Sequence, residues 1–152
     1  MRRNVRMLSR REASLGAAAA TLLPLHALAQ EQTQAWEQAV KGILGESKPT
    51  EAKVTFDMPE IAENGNTVPF SVRIDSPMTE KDYVKAIHII STGNPQPGVA
   101  TFRLTPRSGR AMVSSRMRLA KTQDVIAIAE LSDSKFLMSK RAVKVTIGGC
   151  GG

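Results

Sequence analysis

The 152-residue sequence predicts a mainly β protein: an immunoglobulin-like antiparallel β-sandwich of about seven strands, with a short N-terminal helix and a flexible C-terminal arm. Three observations predict it. After Pro49 apolar residues recur with a period of two, helical spacing occurs once, before that point, and turn residues separate the alternating runs at short intervals. The chain then closes on Gly148-Gly149-Cys150-Gly151-Gly152, a segment with almost no side chain to bury.

The first element reads as an address. Arg2, Arg3, Arg6, Arg10 and Arg11 make a basic region, Ala13 to Leu25 is apolar and alanine-rich, and Ala27-Leu28-Ala29 has the small-residue pattern of a cleavage site. Residues 1–29 are therefore expected to be a signal peptide cut before Gln30. Ser9-Arg10-Arg11 ahead of a weakly hydrophobic stretch is of the twin-arginine type, which exports folded proteins to the periplasm. Pro24 interrupts the apolar run, which falls short of the roughly 20 residues of a membrane span, so no membrane anchor is expected.

Residues 30–47 form the predicted helical segment. From Gln34 to Leu44, Trp36, Val40, Ile43 and Leu44 share one face with Ala35 and Ala39 beside them, and Gly45 stands at the C-cap. Trp36 is expected to anchor this helix to the core.

Residues 48–147 form the predicted sandwich domain. Lys53–Phe56, Val68–Ile74, Ala100–Leu104, Val113–Leu119, Val125–Ala129, Phe136–Met138 and Val143–Ile147 read as strands. Tyr83–Ile90 is apolar on both faces, as for a strand covered by the sandwich core on one side and by the helix or a partner on the other. Glu63-Asn64-Gly65-Asn66 carries a hairpin signal, Asn94-Pro95-Gln96-Pro97-Gly98 a rigid loop, and Pro106-Arg107-Ser108-Gly109 and Ser132-Asp133-Ser134 two turns. A closed barrel is the alternative architecture.

Formal charge is +7 for the whole chain, but loss of five arginines and one glutamate with the leader leaves 16 basic against 13 acidic residues, a net of +3. Nucleic acid is thus not an expected partner. The charge is uneven: residues 30–98 carry −4 and residues 99–152 carry +7, so the cysteine belongs to the positive half.

Cys150 is the single cysteine, and in an oxidising compartment it stays free, pairs with another chain or carries a group. Five residues from Gly148 onward span about 16–18 Å when extended, enough to enter another protein's active site. Cys150 is read as the point of covalent attachment, and Gly148, Gly149, Gly151 and Gly152 as the source of arm flexibility. An exposed thiol has the free pKa of about 8.5, so the base, cation or metal that generates the thiolate has to come from a visiting enzyme. The mature chain has one histidine, His88, which sits in an apolar strand pattern and reads as a hydrogen-bonded structural residue rather than a base. One Cys and one His do not make a zinc site, and no C-x-x-C, G-x-S-x-G or phosphate-binding glycine loop occurs. No catalytic residue, metal or cofactor is expected, and the chain is not expected to be an enzyme.

Four segments carry a family resemblance: Val145-Thr146-Ile147-Gly148-Gly149-Cys150-Gly151-Gly152, Ile61-Ala62-Glu63-Asn64-Gly65-Asn66-Thr67-Val68-Pro69, Ser76-Pro77-Met78-Thr79 and Leu119-Ala120-Lys121-Thr122-Gln123. On these the chain resembles SoxY, the sulfur-carrying subunit of the SoxYZ thiosulfate-oxidation complex. The resemblance implies a covalent carrier whose Cys150 is joined oxidatively to thiosulfate by a haem c-type enzyme. A hydrolase then releases sulfate and a molybdenum sulfane dehydrogenase oxidises the sulfur that remains. It also implies a heterodimer with a SoxZ-like subunit that lacks an export signal of its own.

Two other readings compete. One is a periplasmic interaction module that uses Cys150 only for an intermolecular disulfide. The other is a ubiquitin-like carrier with a terminal thiocarboxylate, against which the export signal and strand count argue.

Overall fold

The computed structural model describes residues 25–51 and 53–148, with side chains from residue 35 onward. Most of the expected leader, and Gly149, Cys150, Gly151 and Gly152, lie outside the described residues. Helix α1 spans Leu25–Leu44 and is followed by eight strands: β1 Val54–Asp57, β2 Ile61–Ala62, β3 Val68–Ile74, β4 Val84–Ser91, β5 Gly98–Arg103, β6 Ala111–Met117, β7 Gln123–Leu131 and β8 Phe136–Val145. They form two sheets, one ordered β1-β3-β6 and the other β2-β8-β7-β4-β5, so the chain is an open two-sheet sandwich and not a closed barrel.

The period-two pattern has its expected cause. In β3, Val68, Phe70, Val72 and Ile74 are buried while Pro69 and Arg73 are exposed. Those four meet Val84, Ile87 and Ile89 of β4 and Val125, Ala127 and Ala129 of β7 in the main core, with Phe56, Leu119 and Val143 completing it. Strands β4 and β7 are apolar on their second face too. Ile90, Ile126 and Ile128 form a separate buried cluster roofed by Trp36, Ala39, Val40, Ile43 and Leu44 of α1, with Phe136 and Met138 beside them. The expectation that Tyr83–Ile90 is covered from both sides is met, and α1 is its cover. The helix ends as its residues require: Gly45 takes φ +58 and its N–H donates to the Lys41 carbonyl at 2.8 Å.

Four boundaries differ from the sequence reading. Helix α1 begins at Leu25, well ahead of Gln34 and of the expected cleavage point. Amphipathic periodicity marks only the half that meets the sheet, whereas Ala27, Leu28 and Ala29 are strong helix formers that extend it backward. The runs at Phe136–Met138 and Val143–Ile147 belong largely to one ten-residue strand, since Ser139 to Ala142 pair with Asp124 to Ala127 even though Lys140 and Arg141 are exposed charged residues. The two-residue β2 went unread, and its pairing with β8 is parallel, as is a bridge from Thr50 to Leu137, so this edge of the sheet is mixed rather than antiparallel. Finally, Glu63-Asn64-Gly65-Asn66 makes a turn but no hairpin, because it carries the chain from β2 in one sheet to β3 in the other.

Candidate functional site

The end of β8 is where the candidate arm leaves the sandwich. Val143 is the last buried residue of β8, and Val145 is half-buried. The chain nevertheless does not come away from the body at Val145. The Val145 N–H donates to Thr122 Oγ1 at 3.0 Å, the Thr146 N–H to the Ala62 carbonyl at 3.1 Å, and the Thr146 hydroxyl to the Glu63 carbonyl at 3.1 Å. The Gly65 N–H donates to the Ile147 carbonyl at 2.8 Å, and the Gly65 carbonyl accepts from Leu119 N–H at 2.8 Å. Loop 63–66 can present this backbone because the Asn66 N–H closes on Asn64 Oδ1 at 2.9 Å, an Asx turn that fixes its shape.

Gly148 completes the base. A Cβ built there would overlap the Ala120 carbonyl oxygen, a backbone atom that cannot rotate aside. Sequence reasoning assigned Gly148 to arm flexibility; in the fold its missing side chain also permits this close approach. Cys150, with Gly149, Gly151 and Gly152, lies outside the described residues, so the site is defined from its base.

Ala120 is itself held. Asn94 Oδ1 accepts the Ala120 N–H at 2.9 Å and the Gln123 Nε2–H at 2.9 Å, while Asn94 Nδ2 donates to the Arg118 carbonyl at 2.8 Å. Gln123, 8% exposed, uses its remaining groups on Lys121 and Gly93: Nε2 donates to the Lys121 carbonyl at 3.1 Å and Oε1 accepts the Gly93 N–H at 2.8 Å. Gly93 has to be glycine for this, as a Cβ there would stand 2.9 Å from the Gln123 Cβ. The β6–β7 loop is thus fastened by two side-chain amides, one from its own end and one from the β4–β5 loop. Sequence reasoning missed both in this role. Asn94 was read only as part of a rigid loop, and the available signal was a glutamine opening an otherwise apolar strand, a position where a polar group is buried only if satisfied. Exposed side chains on the segments that form the base carry both signs: Lys121 and Lys144, Glu60 and Glu63.

His88 lies on the helix-facing side of β4, in a groove lined by Ala39, Ile43, Ile90 and Val99. Its Nδ1 is 3.0 Å from Thr101 Oγ1, and its buried Nε2 has no partner among the described residues. Burial pushes its pKa below the ordinary 6.5, opposed by Glu130 and assisted by Arg103. Among the described residues no group of three or more His, Cys, Asp and Glu could hold a metal ion, and no helix is long and apolar enough to cross a membrane.

Comparisons with known proteins bear on this geometry. No match was found among curated proteins. Among solved structures, the chain is similar to the sulfur carrier protein SoxY from Chlorobium limicola f thiosulfatophilum, with 34% identity and a TM-score of 0.60 over 75% of this chain and 98% of that one. It also resembles a superoxide reductase (neelaredoxin) from Ignicoccus hospitalis, with 16% identity and a TM-score of 0.55 over 71% and 90% of the two chains. A putative superoxide reductase from Thermotoga maritima likewise matches at 16% identity and a TM-score of 0.55, over 65% and 93%. The reductases share the fold alone. The model of the sulfur oxidation protein SoxY family matches residues 40–150, a range that holds the last five residues of α1, both sheets, the base of the arm and Cys150. With that family match and the Chlorobium likeness together, the chain belongs to the SoxY family of sulfur oxidation proteins.

Proposed function

We propose that this protein is a covalent sulfur carrier of the thiosulfate-oxidising pathway, not an enzyme, and that Cys150 holds the cargo. The observation that carries the reading is the family match through Cys150, together with a last strand that ends at Val145, three residues before Gly148. The carrier thiol and thiosulfate combine to a cysteine S-thiosulfonate, a new S–S bond forming as two electrons pass to a haem c-type conjugating enzyme and one proton leaves. Water then cleaves the bond between the terminal sulfone sulfur and its neighbour, giving sulfate, a proton and a cysteine persulfide. The sulfane sulfur left on Cys150 is the substrate of a sulfane dehydrogenase. The chain supplies a sulfur atom and reach, and the visiting enzymes supply the chemistry.

The proposal extends to setting and partner. Residues 1–29 act as a twin-arginine signal that exports the chain, folded, to the periplasm with a SoxZ-like subunit as its heterodimer partner. Gly149, Gly151 and Gly152 keep the arm slim and turnable beside the thiol.

Intact-mass measurement on the full heterodimer, incubated with thiosulfate and the conjugating enzyme, tests the reading. The expected product is a chain heavier by one thiosulfate group, absent in Cys150→Ser, which still pairs with its subunit. A doubled mass that collapses on reduction, with no thiosulfate adduct, would refute it in favour of an interaction module.

A further inference from the structure

We propose that the arm is fixed to the body as far as Gly148, and that Asn94 and Gln123 are positioning residues which set the point from which Cys150 is offered. This rests on the reading of Cys150 as the carrier thiol.

Three features converge on the same conclusion. Val145, at the end of β8, is hydrogen-bonded to Thr122 of the β6–β7 loop, and the two residues after it are bonded to Ala62 at the end of β2 and to Glu63 and Gly65 of the β2–β3 loop. Gly148 then rests against the Ala120 carbonyl at a distance that excludes a side chain. Behind Ala120, the Asn94 amide grips the loop at Arg118, Ala120 and Gln123, and Gln123 ties it to Gly93. An arm that needed only slack would require none of this.

The consequence is a matter of volume. Were the chain free from Val145 onward, the Cys150 Cα would sweep a radius of about 17 Å; held to Gly148, it sweeps about 7 Å. The accessible volume shrinks by on the order of tenfold, and the effective concentration of the thiol at the mouth of a docked enzyme rises in proportion. A partner that takes the cysteine then has to dock against loops 62–65 and 118–122, since the thiol reaches little else.

The test compares wild type, Gly148→Ala and Asn94→Ala, each in the full heterodimer. Amide exchange is read at Gly65 and Thr146, whose N–H groups cross the clamp, with Ile89 and Ala127 as core references. Both variants are expected to lose about tenfold protection at the clamp while the references hold. With the conjugating enzyme, kcat is expected to fall about five- to tenfold while KM, set by docking of the body, stays within about twofold. Alkylation by iodoacetamide, which needs no particular point of departure, is expected to stay within about twofold of wild type.

Unchanged exchange in Gly148→Ala would overturn the anchor, and lost protection with unchanged kcat would overturn the positioning role. Asn94→Ala decides the matter in the same way should Gly148→Ala fail to fold. A wild-type chain that takes up no thiosulfate at all sinks the carrier reading and the positioning role with it, while the exchange pattern still answers separately for the anchor.

Discussion

Gln123→Ala is the sharpest test of how the arm's base is held. Gln123 is nearly buried and its amide makes three hydrogen bonds, to Gly93 N–H, Asn94 Oδ1 and the Lys121 carbonyl. Each contributes about 0.5–1.5 kcal/mol net, and the buried Gly93 N–H left without an acceptor adds a desolvation cost of about 1–3 kcal/mol. These overlap, so the expected loss is about 3 kcal/mol, read as a fall in the urea midpoint at unchanged m-value. For a domain near this size it lowers Tm by about 10 °C. Gln123→Glu supplies the internal control. Its carboxylate faces two acceptors, the Asn94 Oδ1 and the Lys121 carbonyl, so its folded pKa lies above the unfolded value. Its deficit against wild type should therefore narrow as pH falls through that raised pKa, where the protonated acid donates again. A loss below about 1 kcal/mol for Gln123→Ala would refute the reasoning, because water would then be replacing the amide in a loop less tightly closed than described.

The other predictions concern the opposite face of the sheet and the thiol. His88 has a folded pKa depressed chiefly by burial, with Glu130, itself paired to Lys85 at 3.2 Å, and Arg103 as the charged groups acting near it. The unfolded chain thus takes up the proton more readily: the His88 contribution is fully present above pH 6.5 and is lost as pH falls through the lower folded pKa. Urea midpoints at pH 8 and pH 5 should show this drop in wild type and a smaller one in His88→Gln; equal drops would show that other groups govern the acid limb. Ile128→Ala opens a void under α1, since Ile128 is fully buried among residues that touch Trp36. It should cost about 3 kcal/mol and shift the emission of the single tryptophan to the red, whereas unchanged emission would mean that α1 does not depend on this contact. Cys150→Ser should abolish thiosulfate uptake and leave Tm within about 1 °C, whereas a larger fall in Tm would show that the thiol is packed against the fold.

What could be read from the residues and what could not follows a physical divide. Strands β3, β4 and β7 were legible because burial on a pleated surface imposes a period of two, or continuous apolarity where both faces are covered. The sheet-facing half of α1 was legible for the same reason at a period of 3.6. Pairing was not: β2 is too short to show a period, and its parallel contact with β8 depends on where the chain returns after β1. Lys140 and Arg141 disguised the middle of β8: they lie on opposite faces of the strand, Lys140 paired to Asp124 at 3.3 Å and Arg141 donating its Nε–H to the Phe56 carbonyl of β1 at 2.8 Å, so neither reads as part of an apolar alternation. At the site, Cys150 stood out by composition, but the base did not. Asn94, Gly65, Ala120 and Gln123 are unremarkable residues in a linear reading and acquire a role only when three loops meet.

That meeting gives a physical sense to the four segments that carry the family likeness. Three of them, residues 61–69, 119–123 and the start of the last one, Val145 to Gly148, are separated in sequence and come together at one end of the sandwich, bonded to one another through Ala62, Glu63, Gly65, Leu119, Thr122, Val145, Thr146 and Ile147. The fourth, Ser76 to Thr79, has a different task. Met78 takes φ +52, an uncommon conformation for a long side chain, turns into the main core at 5% exposure, and accepts the Val84 N–H on its sulfur at 3.5 Å. The likeness thus divides into one segment that secures the sandwich and three that build a footing. A footing of eight bonded residues, an excluded side chain at Gly148 and an amide brace behind it fix the place from which the chain continues toward Cys150.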